Sequence, residues 1–234
     1  MDCPHCHSVQ IVKNGHTPKG RQNYLCRQCG RQFLLDARPC SYPDALREQV
    51  LAALNERMSL HGVQRVFRIT RQTAAKWLRQ KADQVSPLAL LPQTWGDKEL
   101  LLEGDEIWSF IGRKQQQAWL WVLLDRVTRR VVAWASGDRS IATAYQLWQQ
   151  VPVEYQLHCH CFTDFWSVYA NIFPVEQHTA CGKESGETSH IERWNNTLRQ
   201  RVGRFVRKTL SFSKSEKMHL AAITWFIYCY NLDH

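Results

Sequence analysis

No stretch of this 234-residue chain is apolar for long enough to cross a bilayer. The longest uncharged apolar run near the C-terminal end, LAAITWFIYCYNL, has about thirteen residues, against the ~20 that a spanning helix needs. It reads as a buried helix. An apolar leader is also missing: Asp2, Cys3 and His5 stand where a secretory signal would begin its hydrophobic core. Membrane insertion and secretion are therefore not expected, and a reducing cytosol is. Acidic residues are scarce at both ends. Residues 1–90 carry 14 Lys and Arg against 6 Asp and Glu, a net +8, and residues 193–217 carry 8 against 1, a net +7. Residues 91–192 carry 8 against 13, a net −5. Two basic segments around an acidic centre suit a protein that grips a polyanion and gathers metal between the grips. Solvated surface charge is the alternative, and it explains the C-terminal excess more easily than the whole alternation. An apolar content of 44% and ten tryptophans indicate a sizeable core, and the length suits one large domain or two to three small ones.

Cysteine is present in an odd number, nine, which does not suit a disulfide framework. Four of the nine form two pairs, Cys3-x2-Cys6 and Cys26-x2-Cys29, with nineteen residues between them. Two such knuckles can close a tetrahedral thiolate site around Zn2+. Disulfide pairing is the other reading, and His5 and His7 could substitute as ligands. Between the pairs, VQIVKNG and QNYLC read as two short strands. So small a unit needs zinc to fold, so the metal is expected to be structural. Lys13, Lys19, Arg21, Arg27 and Arg31 decorate it and could meet phosphates or water. The domain is placed at residues 1–38, and Pro39 to Pro43 mark a linker.

Residues 44–84 read as three helices: DALREQVLAALNERM, SLHGVQRVF capped by Ser59, and RQTAAKWLRQKAD capped by Thr70. Two short helices joined by a tight turn, the second rich in Arg, Gln, Thr and Lys, suggest a helix-turn-helix. Arg71, Gln72 and Lys76 would then face the major groove of double-stranded DNA. An ordinary three-helix packing unit is the alternative. VSPLALLPQ, residues 85–93, reads as a second linker.

From residue 95 the pattern changes. KELLLEGDEIWSFIG, QQAWLWVLLDR and RVVAWASG read as strands. They are followed by a helix (IATAYQLWQQV), a strand (QLHCHCFTD), a helix (WSVYANIF), a short strand (EQHTAC) and a long helix over 189–204. Three strands followed by alternating helix and strand predict a mixed sheet flanked by helices, in an α+β chain. The long helix lines up Glu192, Asn196 and Arg199 on one face, beside an apolar stripe of Ile191, Trp194, Leu198, Val202 and Phe205. Asp105 lies within an apolar strand, where an unpaired charge is costly. Asp164 lies at the end of a later strand. Glu106 points to the other side of its strand, so it is not expected to share a site with Asp105. Asp125 and Asp138 read as strand-end and turn carboxylates. Acids on strand, strand and helix match the needs of a two-metal phosphoryl-transfer site. His158, Cys159, His160 and Cys161 look like a metal cluster, but strand alternation sends the histidines to one face and the cysteines to the other.

Five segments together resemble transposases of the bacterial insertion-sequence-one family: CPxC…YxCxxCxRQF, DExWSFIG, TDxxxxY, HIERxNNxLRQR and RKTLSFSKS at 207–215. The resemblance covers nearly the whole chain. It implies a ribonuclease-H-like catalytic domain, placed at 95–234, with Asp105, Asp164 and Glu192 as the catalytic triad and Arg199 as the basic residue that follows it. It also implies two Mg2+ ions, with Mn2+ able to substitute, held by those acids. The expected activity is cleavage at the terminal inverted repeats of an insertion sequence, followed by attack of a 3′-hydroxyl on target DNA. Arg201, Arg204, Arg207 and Lys208 are expected to hold flanking or target DNA. A homo-oligomer on DNA and a cytoplasmic, nucleoid-associated location are expected too. Some members place fewer than the twenty-seven residues found here between the second Asp and the Glu. The extra length falls at CGKESGETS, expected to be a loop. A repressor that only binds DNA, and a nuclease of the same fold without strand transfer, remain the other functions open to such a chain.

Overall fold

A computed structural model describes residues 1–18, 20–35, 42–91, 100–206 and 210–234. Lys19, Arg207, Lys208 and most of the Pro39–Pro43 linker lie outside the described residues. The chain divides into two compact units, Met1–Pro43 and Asp44–His234. The first is a three-stranded antiparallel sheet, β1 (Ile11–His16), β2 (Gln22–Cys26) and β3 (Gln32–Phe33), in that order. β3 was not expected. Its apolar contribution is small, with Cys3, Cys26 and Phe33 buried together and Tyr24 against them, which is too little to hold forty residues without a further staple.

The second unit opens with α1 (Asp44–Asn55), α2 (Leu60–Phe67) and α3 (Arg71–Gln84). The caps are those the sequence announces. Ser59 Oγ accepts from the Gly62 N–H at 3.0 Å and Thr70 Oγ1 from the Thr73 N–H at 3.2 Å. Arg68, in the left-handed region at φ 57°, ends α2 and turns the chain. Val50, Leu51, Val63, Ile69, Ala74, Trp77 and Leu78 form the buried side. α1 stops three residues earlier than expected.

The mixed sheet has the order β6-β5-β4-β7-β8, from β4 (Leu100–Phe110), β5 (Gln117–Asp125), β6 (Val131–Gly137), β7 (Cys159–Thr163) and β8 (His178–Ala180). β4, β5 and β6 run antiparallel in succession; β7 lies parallel to β4 and β8 parallel to β7. Strand parity divides the core. Leu100, Leu102, Trp121, Leu123, Cys159 and Cys161 face α4 (Ile141–Gln149), α5 (Val153–His158), Tyr169 and Phe173. Ile107, Leu120, Val122 and Leu124 face α6 (Ser189–Arg201) and α7 (Glu216–Leu232), through Ile191, Trp194, Leu198, Ile223, Phe226 and Ile227. The Cys159 and Cys161 Sγ atoms lie 3.6 Å apart on one buried side, while His160 meets Thr179, the division that alternation predicts. WSVYANIF is not a full helix: only Tyr169–Asn171 forms a 3-10 turn. Nor is the start of QLHCHCFTD a strand, because α5 runs to His158.

VSPLALLPQ is no free linker in its described part. Pro87–Leu90 forms a 3-10 turn, and Leu91 and Leu88 join the core. Asn231, fully buried on α7, fastens this turn to the sheet. Its Nδ2 donates to Pro87 O at 3.2 Å and Val131 O at 3.0 Å, and its Oδ1 accepts from the Val131 N–H at 2.8 Å. No helix among the described residues is long and apolar enough to cross a membrane. Replacing Asn231 with Ala leaves a buried strand amide unpaired. That costs about 1–3 kcal/mol, to be read as a fall in the urea midpoint with unchanged slope.

Candidate active site

β4 is the strand on which the site is built. Its odd positions, Glu103, Asp105 and Ile107, share the face covered by α6. Its even positions, including Glu106, share the other. β7 runs beside it with Leu102 opposite Cys161 and Glu103 opposite Phe162. One step past β7, Asp164 follows Thr163, so continuing the register carries it to the level of Asp105. Strands pair at ~4.8 Å, close enough for the two carboxylates to sense each other. Gly104 permits this approach: a Cβ there would lie 3.0 Å from Leu123 Cδ2 and 3.1 Å from Thr163 Cγ2.

The electrostatics report the closeness. Burial, together with the negative charge of Glu106 and Asp164, pushes Asp105 up to about 7; the Glu106 backbone N–H and the positive charge of Arg199 act the other way. Glu106 is also raised, chiefly by burial, while Tyr169 and Arg139 hold it down. Asp105, Asp164 and Arg199 are thus brought together. Glu106 bonds on the opposite side of the strand, to the Tyr169 hydroxyl at 2.6 Å and to Arg139. Arg139 stacks 3.7 Å from the Trp166 ring centroid, and the Trp166 N–H donates to Asp164 Oδ1 at 3.0 Å. Glu106 therefore supports the Asp164 loop from behind.

The helix is positioned by a residue that sequence reasoning missed. Glu103 is fully buried. Its Oε2 accepts from the backbone N–H groups of His190 and Ile191 at 2.8 and 2.9 Å, in the first turn of α6. Its Oε1 accepts from Arg126 Nε at 2.8 Å and pairs with His190 Nδ1 at 2.6 Å. Arg126 also reaches the Glu187 carbonyl and carboxylate just before the helix. A carboxylate on first-turn amides meets both their unpaired N–H groups and the helix dipole. Burial raises the Glu103 carboxyl; the Ile191 N–H and Arg126 oppose that.

With that end fixed, α6 presents Asn195 to the strand. Asn195 Nδ2 donates to Asp105 Oδ2 at 2.5 Å, and the side chain is 3% exposed. The expected residue, Asn196, is exposed to solvent instead. Glu192 and Arg199 lie on the same flank, both half-buried. Glu192 does not close a ligand set with the two aspartates: among the described residues, the four cysteines are the one group of three or more His, Cys, Asp or Glu that could share an ion. The Asn195 Oδ1 is buried with no hydrogen-bond partner. The orphaned amide oxygen of the residue that bonds Asp105, and the two carboxyls, are all oxygen donors, the kind hard divalent cations take.

The cysteine set fits zinc closely. All four Sγ atoms lie within 4.8 Å of one another, with Cys3–Cys29 at 3.7 Å and Cys6–Cys26 at 3.6 Å. A Zn–S bond of about 2.3 Å makes tetrahedron edges of about 3.8 Å. The backbone N–H groups of Cys29 and Gln28 help bring the Cys26 thiol down to about 6, while burial and its sulfur neighbours push Cys6 up to about 12; a bound metal would displace the remaining protons.

Among the expected DNA contacts, Arg71, Gln72 and Lys76 are exposed at the start of α3, Arg71 also meeting His61. Arg201 pairs with Glu56 at 2.6 Å. Arg204 is turned inward: it donates to Ser213 Oγ and the Met218 carbonyl, and burial lowers it to about 10. Those contacts withdraw it from DNA. Arg207 and Lys208 lie outside the described residues. Asp125 is buried rather than superficial, and its Oδ1 accepts from the Val127 and Thr128 N–H groups to close the β5–β6 turn.

Two units, a cysteine-lined ribbon and an acid-bearing mixed sheet, have distinct relatives. The family described as IS1 transposase matches residues 100–232, more than half of the chain, and the InsA N-terminal domain, a zinc ribbon, matches residues 1–30. Insertion element IS1 4 protein InsB of Escherichia coli (strain K12) is 34% identical over 143 residues, covering 61% of this chain and 80% of the relative. Insertion element IS1 protein InsB of Shigella flexneri is 35% identical over 132 residues, covering 56% of this chain and 95% of the relative. The matched class is that of insertion-sequence transposases. The chain belongs to the IS1 transposase family.

Two measurements probe this geometry. A carboxyl raised from 3.8 to about 7 binds its proton more tightly in the folded state. Its contribution to stability is therefore full below about pH 4 and is lost as pH rises through 7. In metal-free protein, Asp105→Asn should gain stability over wild type progressively between pH 4 and 7.5; a pH-independent difference would contradict the assignment. Glu103→Gln should destabilise by roughly 3 kcal/mol, the cost of breaking a buried ion pair. Amide exchange at His190 and Ile191 should also speed up before that of the core strands, and unchanged protection there would exclude Glu103 as the anchor.

Proposed function

We propose that the chain binds the terminal inverted repeats of an insertion sequence and carries out metal-dependent cleavage and strand transfer through Asp105, Asp164 and Glu192. The carrying observation is the junction of β4, β7 and α6. There two aspartates meet at one level, and Asn195 adds an orphaned oxygen. Repulsion between close carboxylates is relieved by a divalent cation, and Mg2+ (or Mn2+) is the partner proposed. When bound, it supplies activation of an attacking oxygen and neutralisation of phosphate charge. The chain's own residues do the rest. Asn195 orients Asp105, Glu106 acts through Arg139 and Trp166 on the Asp164 loop, and Glu103 holds the helix that bears Glu192. Arg199 offers its guanidinium to a phosphate near the acids.

The domain reading that accompanies this has three parts. Residues 1–38 form a zinc-held ribbon; 44–84 form a helix-turn-helix whose Arg71, Gln72 and Lys76 enter the major groove; 95–234 form a ribonuclease-H-like domain. The strand order and the sense of each pairing support the last. The caps and the exposed start of α3 support the second. Holding two element ends at once calls for more than one protomer, so an oligomer on DNA is part of the proposal, at the nucleoid in the cytoplasm. Arg201, Arg207 and Lys208 remain candidates for flanking DNA.

The test is a strand-transfer assay with Mg2+ and a labelled oligonucleotide bearing the repeat read from DNA flanking the gene. Wild type should yield cleaved and joined products. Glu192→Gln should bind the repeat as tightly and yield neither. Cleavage retained in the variant would remove Glu192 from the site. Repeat binding without any chemistry in wild type would leave a repressor, and cleavage without joining a nuclease.

A further inference from the structure

The helix that carries Glu192 has a second flank. Around α6, Glu192, Asn195 and Arg199 lie on the side of the acids. His190, Arg193, Trp194, Thr197 and Arg201 recur at i, i+3, i+4, i+7 and i+11, centred about half a turn away. These five line a cavity of about 350 Å³, completed by Leu124, Arg129, Tyr230 and His234. No lining residue is acidic. Three arginines, two histidines and a phenol converge, all of them able to donate a hydrogen bond.

Local structure builds this concentration of donors. Arg129 sits in the tight β5–β6 turn with φ 64°, a turn closed by buried Asp125. His190 is held by Glu103 through Nδ1, so Nε2 is its ring nitrogen left for a ligand. Arg201 is partly engaged by Glu56. Trp194, 1% exposed, packs as the inner wall of the cavity, against Phe226 and Tyr230.

We propose that this cavity is a second phosphate-binding site, which takes the phosphate of a nucleotide on the flank of α6 opposite the catalytic acids. Arg193 and Arg129 supply charge, His190 Nε2 a further ring nitrogen, and Trp194 and Tyr230 aromatic walls. The volume exceeds that of a bare phosphate and reaches the lower range of small-molecule pockets. A nucleotide with its sugar or base is therefore accommodated. Because Glu103 touches both His190 and the first amides of α6, a ligand here bears on the same anchor that fixes the Glu192 helix. The inference stands apart from the catalytic reading, since it is read by binding alone.

The test titrates inorganic phosphate and deoxyadenosine monophosphate into the full, zinc-loaded chain, followed by calorimetry. Arg193→Ala and Thr197→Trp, the second filling the cavity, serve as variants. Thermal melts confirm that both fold, and Lys114→Ala, exposed between β4 and β5, serves as a control. Wild type and control should bind the nucleotide alike, with at least a ten-fold loss in both cavity variants. A 20-base-pair duplex separates the sources. If the salt dependence of duplex binding falls by about one phosphate contact in Arg193→Ala, the phosphate is that of a DNA strand. If nucleotide affinity falls and the duplex slope does not, the ligand is a free nucleotide. Equal nucleotide affinity in wild type and both folded variants, or no binding to wild type at millimolar concentration, overturns the site.

Discussion

A single buried carboxylate organises the acidic half of this protein. Glu103 sits on the central strand, and among the described residues its hydrogen-bond partners are two helix amides, a guanidinium and an imidazole. An ionised group in that position is tolerable only while all of them stay in place. The constraint runs in both directions. α6 cannot slide along the sheet without stranding the charge, and Arg126 cannot leave without exposing it. Two residues further along the strand, Asp105 meets Asn195, one and a half turns along the same helix. The distance from strand to helix at the acids is therefore set by an ion-paired contact that takes no part in the chemistry.

The two faces of β4 divide the labour. On the α6 side, Glu103 and Asp105 are ranked by their donors: Glu103 has four, while Asp105 has the Glu106 N–H and one amide. On the other side, Glu106 is gripped by Tyr169 and Arg139, and that grip continues through Trp166 to Asp164. Two of the three acids within four residues of one another are thus neutralised by protein, and the third is left short. The residue left short is the one whose proton is held up to about 7.

The sequence made much of this legible, and the gaps have a common cause. Cysteine spacing disclosed the ribbon's four-sulfur cluster because two-residue knuckles encode their geometry locally. Ser59 and Thr70 disclosed helix starts for the same reason. Alternation placed Asp105 and Glu106 on opposite faces of their strand, and the apolar stripe placed α6 on the sheet. Glu103 gave no sign, because its partners His190 and Ile191 are 87 and 88 positions away. Asn195 and Asn196 differ by 100° on the helix, and only the contact with β4 decides between them. Arg204 looked like one more basic residue in a basic run, yet its guanidinium caps carbonyl and hydroxyl groups inside. VSPLALLPQ carries two prolines and reads as a linker; it is packed because Asn231, 144 positions from Pro87, collects its carbonyl.

The proposed metal chemistry follows from how unevenly charge is compensated. A site in which every carboxylate were paired would have nothing to gain from a cation. A site in which none were paired would not hold its shape without one. Here the supporting acids are satisfied internally, so the frame persists whether or not an ion is bound. The deficit is confined to Asp105, Asp164 and the idle Asn195 oxygen. Glu192, half-buried on the same flank and within the helix turn that Glu103 anchors, stands outside that cluster. The frame is thus rigid where Glu103 holds it, and its unmet demand faces the place where a metal and a phosphate would enter together.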